Sequence, residues 1–368
     1  MGLYLAENDD TPENSVKSAR MERKYMQKRL KSFDCLKGLA CIGVVFIHFN
    51  FEGNLGLAVK AFCRFSVPVF FCISGFFLLL NGTIEDGKIV NKIRHIFKIT
   101  VGAGVFYCMF TVIINSLQSN DWRAKEFAIS RLTADRIVKF FITNDPFLYS
   151  HLWFLMALIY CYVFVLLFFE GNRRLSWIKV MAPLLLIFYT VLQEFGDVLG
   201  ITRSVWIPGT ENRVYFYNLF VFRALPAILF GMLMNKYRSD IEKIKISKVV
   251  LAALVVLGGG IAVFERFAVG ETQFFLGSYL MVASLFVLAI KVPDWKIEGL
   301  EYLGRELSLY IYILHIAVGR SMDMVARWFG AQKTIGYLYG KPFLILAVSV
   351  LISVFILKGK SAAMKVLR

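Results

Sequence analysis

Lys37 and His48 stand eleven residues apart in the run KGLACIGVVFIH. In a helix that separation is about 16 Å of rise and about 20° of rotation, so Lys37, Cys41, Val44 and His48 share one face. A cation would stand where an apolar stretch begins, with an imidazole some three turns inside it. Ionisable groups are costly in hydrocarbon and mark a functional site there by default. A neutral imidazole needs only one acceptor for its N–H, and its lone pair can then act as a base near neutral pH. Asp34, three residues before Lys37, can pair with it and fix its rotamer. A polar residue tying two helices together is the bland role for His48. The aligned Lys37 tips the balance towards chemistry.

Four other groups of polar residues interrupt apolar surroundings. In SVPVFFCISGFFLL, Ser74 and Gly75 permit close helix approach, and packing is their plainer role. KIVNKIRHIFK brings Lys88, Lys92, Arg94, His95 and Lys98 together. Arg offers phosphate a planar fork and Lys a mobile point charge, although on charge alone positive-inside anchoring at anionic headgroups is the plainer reading of such a cluster. RELSLYIYILHIAV sets Ser308, Tyr312 and His315 roughly on one face, within reach of His48. Weaker signals are HLWF, with His151 and Trp153, and Arg223 in FRALPAILFGML, which reads as a buried structural ion.

These residues need helices in a membrane to hold them. The chain is 58% apolar, contains 35 Phe and has a mean hydropathy of +0.62. That composition predicts an all-α polytopic membrane protein. About ten spans are expected, near 36–51, 62–81, 96–116, 151–170, 178–193, 215–235, 248–264, 273–291, 307–322 and 341–357. A net charge of +16 suggests nucleic acid at first sight, but its distribution argues otherwise. With ten spans, 27 of the 42 Lys and Arg fall on the side of the N-terminus and 14 on the other. This positive-inside bias puts both termini in the cytoplasm and excludes nucleic acid as the meaning of the charge. Residues 1–30 read as a disordered and then basic cytoplasmic segment, 31–357 as the membrane domain, and 358–368 as a basic cytoplasmic tail. The six Cys show no paired or metal-binding spacing. On the far side, 127–142 has the pattern of an amphipathic helix, either a lid on the bundle or an interfacial element. With loop 194–214, which contains Glu194 and Trp206, it would form a face for a polar acceptor. On the residues alone an enzyme and a transporter stand level. The transporter would use His48, Arg223 and His315 as a relay.

Taken in order, these motifs resemble the acyltransferase-3 family of integral membrane acyltransferases. The resemblance rests on Asp34-x-x-Lys37-Gly38 with His48 at the end of the same span, FFCISGFFL, the basic start of span three, HLWFL, the stretch from Arg223 to Gly231, and SLYIYILH. It covers about residues 30–357. The family often has Arg where this chain has Lys37, and Lys92, Arg94 and His95 stand where it has paired arginines. The resemblance implies an O-acyltransferase of the bacterial cytoplasmic membrane. Cytoplasmic acyl-CoA, acetyl-CoA above all, would be the donor, and an envelope polysaccharide or lipid-linked sugar the acceptor, without a metal. In that scheme Lys37, Lys92, Arg94 and His95 bind the donor, and His48 is catalytic. Asp34, Ser74, Trp153, Arg223, Ser308 and His315 support them.

Overall fold

Chain punctuation decides where the helices begin and end. The computed structural model describes residues 30–366, except 81, 119–122, 124–132, 144–148, 170–173, 193–198, 202–203, 208–212 and 273–274. Helix α1 (Lys31–His48) stops at a bend through Phe49 and Asn50. Gly53, with a left-handed φ of 63°, then opens α2 (Gly53–Cys63). Pro68 has no N–H to give the Arg64 carbonyl, so it fits only in the first turn of a new helix. The chain accordingly breaks at Arg64 and Phe65, and α3 (Ser66–Phe76) takes over. The other long helices are α4 (Asp86–Gln118), α5 (Trp153–Phe168), α6 (Ile178–Thr190), α7 (Leu225–Lys236), α8 (Lys248–Ala268), α9 (Leu276–Lys291), α10 (Ser308–Trp328) and α11 (Ile335–Val366). Two short antiparallel hairpins, Leu79–Leu80 with Thr83–Ile84 and Ser204–Trp206 with Arg213–Tyr215, are the sheet among the described residues.

Among the described residues, six helical runs are long and apolar enough to cross a membrane: Gly53–Phe76, Asp86–Gln118, Ser150–Phe168, Lys248–Ala268, Glu298–Trp328 and Ile335–Ala362. Leu175–Thr190 and Leu276–Lys291 are apolar but shorter. The fold is thus that of an all-α, multi-pass membrane protein. Several helices extend beyond their apolar runs, whereas α1 ends at His48 rather than 51 and α7 begins at Leu225 rather than 215. The second span begins at Gly53 rather than near 62, and the third at Asp86 rather than 96. The ninth extends from Glu298 to Trp328 rather than 307–322. Hydrophobicity marks only the part of a helix that sits in hydrocarbon, whereas hydrogen bonding carries the helix on through polar turns. Helix α11 likewise continues to Val366. Residues 1–29, the first half of the expected 127–142 helix, and Glu194 lie outside the described residues. Ala134–Thr143 is helical and packs against the strand Arg213–Tyr215.

Helix α1 runs through the middle of its neighbours, touching α2, α3, α9, α10 and α11. Phe33 is buried 4.7 Å from the ring of Phe76 and 5.4 Å, edge-on, from Phe286. Between membrane helices such contacts stabilise through close packing, since lipid tails are as apolar as the partner. A close approach is made between α3 and α7. A Cβ on Gly75 would collide with the Ile228 carbonyl, and one on Gly231 with the Cys72 carbonyl. Only glycine allows the two backbones to meet there.

Candidate active site

Of the face predicted for α1, Lys37, Val44 and His48 line a cavity, while Cys41 is buried against the Ser308 carbonyl. About 840 Å³ of empty space, partly open to the surface, extends from Lys37 and Arg305 at one end to His48 and His151 at the other. Its middle is apolar, with Val44, Val67, Phe70, Phe154 and Leu309. Lys37 Nζ lies 3.5 Å from Asp34 Oδ1, so the expected pairing forms. Its ammonium also sits 5.7 Å from the ring of Phe77, and Lys92 donates a 2.7 Å hydrogen bond to the Phe77 carbonyl. Lys37 and Lys92 therefore converge on one residue. Arg305 comes from a π-helical turn, Leu303–Leu307, that precedes α10 and packs against α1. Such turns re-aim side chains at functional sites. Arg94 and His95 are exposed on α4 and do not line this cavity.

At the other end three imidazoles meet. The ring centroid of His48 is 5.2 Å from that of His315 and 6.3 Å from that of His151, which are themselves 5.4 Å apart. His48 is exposed, whereas His151 and His315 are buried, at 3% and 0% exposure. His315 Nδ1 is 2.9 Å from the Ile311 carbonyl. A carbonyl can only accept, so Nδ1 carries the proton and Nε2 of the neutral ring keeps its lone pair. The Nε2 atoms of His315 and His151 have no hydrogen-bond partner. Tyr312 donates to the His151 carbonyl at 2.7 Å, joining α10 to the start of α5. Although three imidazoles gather, no group of three or more His, Cys, Asp or Glu among the described residues is arranged to hold a metal ion.

Two further cavities reach His48 from its own end of the bundle. One is lined by Lys60, Arg64, Ser150, His151, Trp153, Asn218 and Arg223. The other is lined by Asn50, Glu52, Asp323, Arg327, Tyr337 and Lys341. In the second, Asp323 binds Tyr337 at 2.7 Å and Lys341 at 2.7 Å. His48 thus stands where three spaces join.

The remaining sequence candidates divide between site and scaffold. Trp153 lines two of the cavities, and the Arg223 guanidinium stacks 3.6 Å over its ring. Arg223 therefore belongs to the site as well as to the scaffold. Ser308 lines the first cavity while its hydroxyl donates to the Gly304 carbonyl at 2.8 Å. Ser74 hydrogen-bonds with the buried Tyr162, which is a packing role. His151, Lys60, Arg64 and Arg305 were not selected from the sequence. The first was visible as an isolated histidine beside Trp153. Lys60 fell just before the expected span of 62–81, and Arg64, inside it, was not singled out.

A family model described as an acyltransferase domain matches residues 30–357, nearly the whole chain. The chain belongs to the acyltransferase-3 family. No curated protein and no solved structure matches it. Membership makes this protein a membrane acyltransferase, and the joined cavities are the place in it where a donor and an acceptor could meet.

Proposed function

We propose that this acyltransferase takes an acyl group, acetyl in the simplest case, from cytoplasmic acyl-CoA and delivers it to a hydroxyl of a cell-envelope glycan on the far side. The single observation that carries this reading is the position of His48, exposed at the junction of one cavity from the Lys37 end and two from its own end. The chain crosses the cytoplasmic membrane ten times with both termini inside, in keeping with the surplus of Lys and Arg on that side. Lys37 and Arg305 then face the cytoplasm.

Lys37, with Lys92 beside it and Arg305 across the mouth, receives the donor's phosphates, and Arg94 and His95 add charge at the surface nearby. The apolar middle of the cavity suits an extended pantetheine arm, which is comparable in length to the rise of about 16 Å between Lys37 and His48. His48 takes the proton from the acceptor hydroxyl as its oxygen attacks the thioester carbonyl. The C–O bond forms, the C–S bond breaks, and the leaving thiolate collects the proton from His48. Direct transfer is the reading adopted, supported by cavities that give both substrates access to His48. The buried ring of His315, held by its Nδ1–H on the Ile311 carbonyl, packs 5.2 Å from that of His48 and so limits how the reactive imidazole can turn.

The test is an acyl-transfer assay in proteoliposomes or whole cells, with envelope glycan read by mass spectrometry. His48→Ala should insert normally and lose transfer. Full turnover in that variant would end the proposal, as would gradient-driven solute accumulation with no acylated product.

A further inference from the structure

A separate groove lies behind α1, at the Lys37 end of the bundle. Ser32, Cys35, Leu36 and Leu39 line it, roughly opposite on the helix to the face of Lys37, Val44 and His48. About 860 Å³ of empty space lies between these residues, Ala252 of α8, and Leu285 and Leu288 of α9. The polar groups in this wall are used inside the protein. The Ser32 hydroxyl donates to the Ala289 carbonyl at 2.8 Å, and the Cys35 thiol points to the Ile297 carbonyl at 3.8 Å. The surface left to a ligand is therefore hydrocarbon. Leu39 is 38% exposed, so the groove opens on the outside of the bundle, where lipid is. Its end at the helix termini is different. Lys248, the first residue of α8, and the half-exposed Trp295, just past the end of α9, line it there. Indole rings favour the headgroup level of a bilayer. Lys291 donates to the Glu242 and Ile244 carbonyls at 3.4 and 2.6 Å, and so pins the stretch that leads to Lys248 and carries the exposed Lys243 and Lys245. Of the carboxylates nearby, Glu242 pairs with Arg238 and Glu298 with Lys296.

We propose that this groove holds one glycerophospholipid with an anionic headgroup, its phosphate at Lys248 and an acyl chain along α1. An amphiphile matches the order of the surfaces, with cation and indole at the end and hydrocarbon beyond. Tail burial gives no preference among lipids, because bilayer tails are as apolar as the groove. The choice is made at the headgroup, where a lysine beside the membrane surface attracts negative charge. The site also has a structural use. A Cβ on Gly38 would collide with the Leu300 carbonyl, so α1 and that segment touch. Leu300 lines the groove, while Arg305, further along the same segment, lines the first cavity with Lys37. A seated lipid braces from behind the two elements that carry those cations. The site stands whether or not acyl transfer is the activity.

Native mass spectrometry of the full chain tests the idea. The protein is placed in nanodiscs of equal phosphatidylglycerol and phosphatidylcholine with the same acyl chains, and the lipid it keeps on mild extraction is counted. The expected result is one retained lipid per chain, with phosphatidylglycerol favoured at least about fivefold over its share of the disc. Lys248→Gln should remove that preference, and Lys248→Arg, which keeps the charge, should restore it. Ala252→Trp, which fills the groove without touching the cation, should lower the retained lipid of either kind. Added phosphatidylglycerol should raise the unfolding temperature of the wild type in detergent and do so less in Lys248→Gln and Ala252→Trp, a comparison that separates lost binding from a folding defect. Retained lipid in the bulk ratio would overturn the proposal, and so would a preference that survives both Lys248→Gln and Ala252→Trp, since the lipid would then lie elsewhere on the surface. Displacement by soluble glycerol phosphate at equal concentration would mark a site for free phosphate instead. No retained lipid at all would mean that something else, residues 1–29 of the chain among the choices, covers the groove.

Discussion

At the scale of single residues, the division of labour between Lys37 and His48 makes separable predictions. A positioned general base contributes about 10²–10⁴-fold to rate, so His48→Ala should lower kcat by that order in a single-turnover assay while donor binding persists. Lys37→Ala should do the reverse. The KM for acyl-CoA rises about tenfold, near 1.4 kcal/mol, with kcat little changed, and titration with CoA alone gives the same loss. Equal effects on both parameters in both variants would contradict the assignment. Much of this pair was legible in the sequence, because helical geometry alone puts positions eleven apart on one face. His315 was also placed within reach of His48 by the pattern of its span. His151 was not: it is more than a hundred residues from His48 in the chain, and nothing in a local pattern says that the turn before α5 brings its imidazole to the end of α1. Arg305 was hidden for a related reason, since a π-helical turn rotates it away from where regular helical spacing would put it.

At the scale of elements, the position of His48 depends on how tightly α3 and α7 hold the bundle beside α1. Gly231→Ala would put a methyl group against the Cys72 carbonyl, and overpacking of that kind costs about 1–3 kcal/mol. The expected outcome is a lower unfolding temperature in detergent, with acyl-CoA affinity reduced in proportion to unfolding. An unchanged melting temperature would show that the helices can separate without penalty. FFCISGFFL announced one half of this crossing, as Ser74 and Gly75 break an aromatic run. The other half, Gly231, is a single glycine in an apolar stretch and carries no mark of its partner. The Pro68 break has a similar history. Apolar runs located the span but not its kink, so nothing marked Lys60, just outside the expected run, or Arg64, within it, as a cavity wall.

For the molecule as a whole, the loop after α8 is tied to α2 by Glu271 with Lys60 and Arg64. Partial burial works against the charged carboxylate, yet Lys60, Arg64 and Arg266 together hold it below its ordinary value. Such a group adds stability that is present above its unfolded pKa and is lost as pH falls through the depressed folded value. Glu271 is 45% exposed, so solvent screens the gain. Melting temperature should therefore fall as pH drops through and below the usual carboxylate range, and Glu271→Gln should flatten that part of the curve. Orientation is testable at the same scale. With Cys108 replaced, Phe329→Cys should react with a membrane-impermeant maleimide in intact cells, and Trp295→Cys only after permeabilisation. The opposite pattern would invert the donor and acceptor ends. Composition made the all-α membrane fold plain, whereas the way the helices close around His48 depends on long-range contacts that no local run records.

The junction at His48 has a consequence for the membrane itself. Cavities that approach from both ends and meet at one side chain form a pore unless that point stays filled. In the proposed orientation His48, backed by the buried rings of His151 and His315, would be what fills it. Truncating it removes more than a base: small ions would gain a path, and a cell that holds its energy as an ion gradient would slowly discharge through its own acyltransferase.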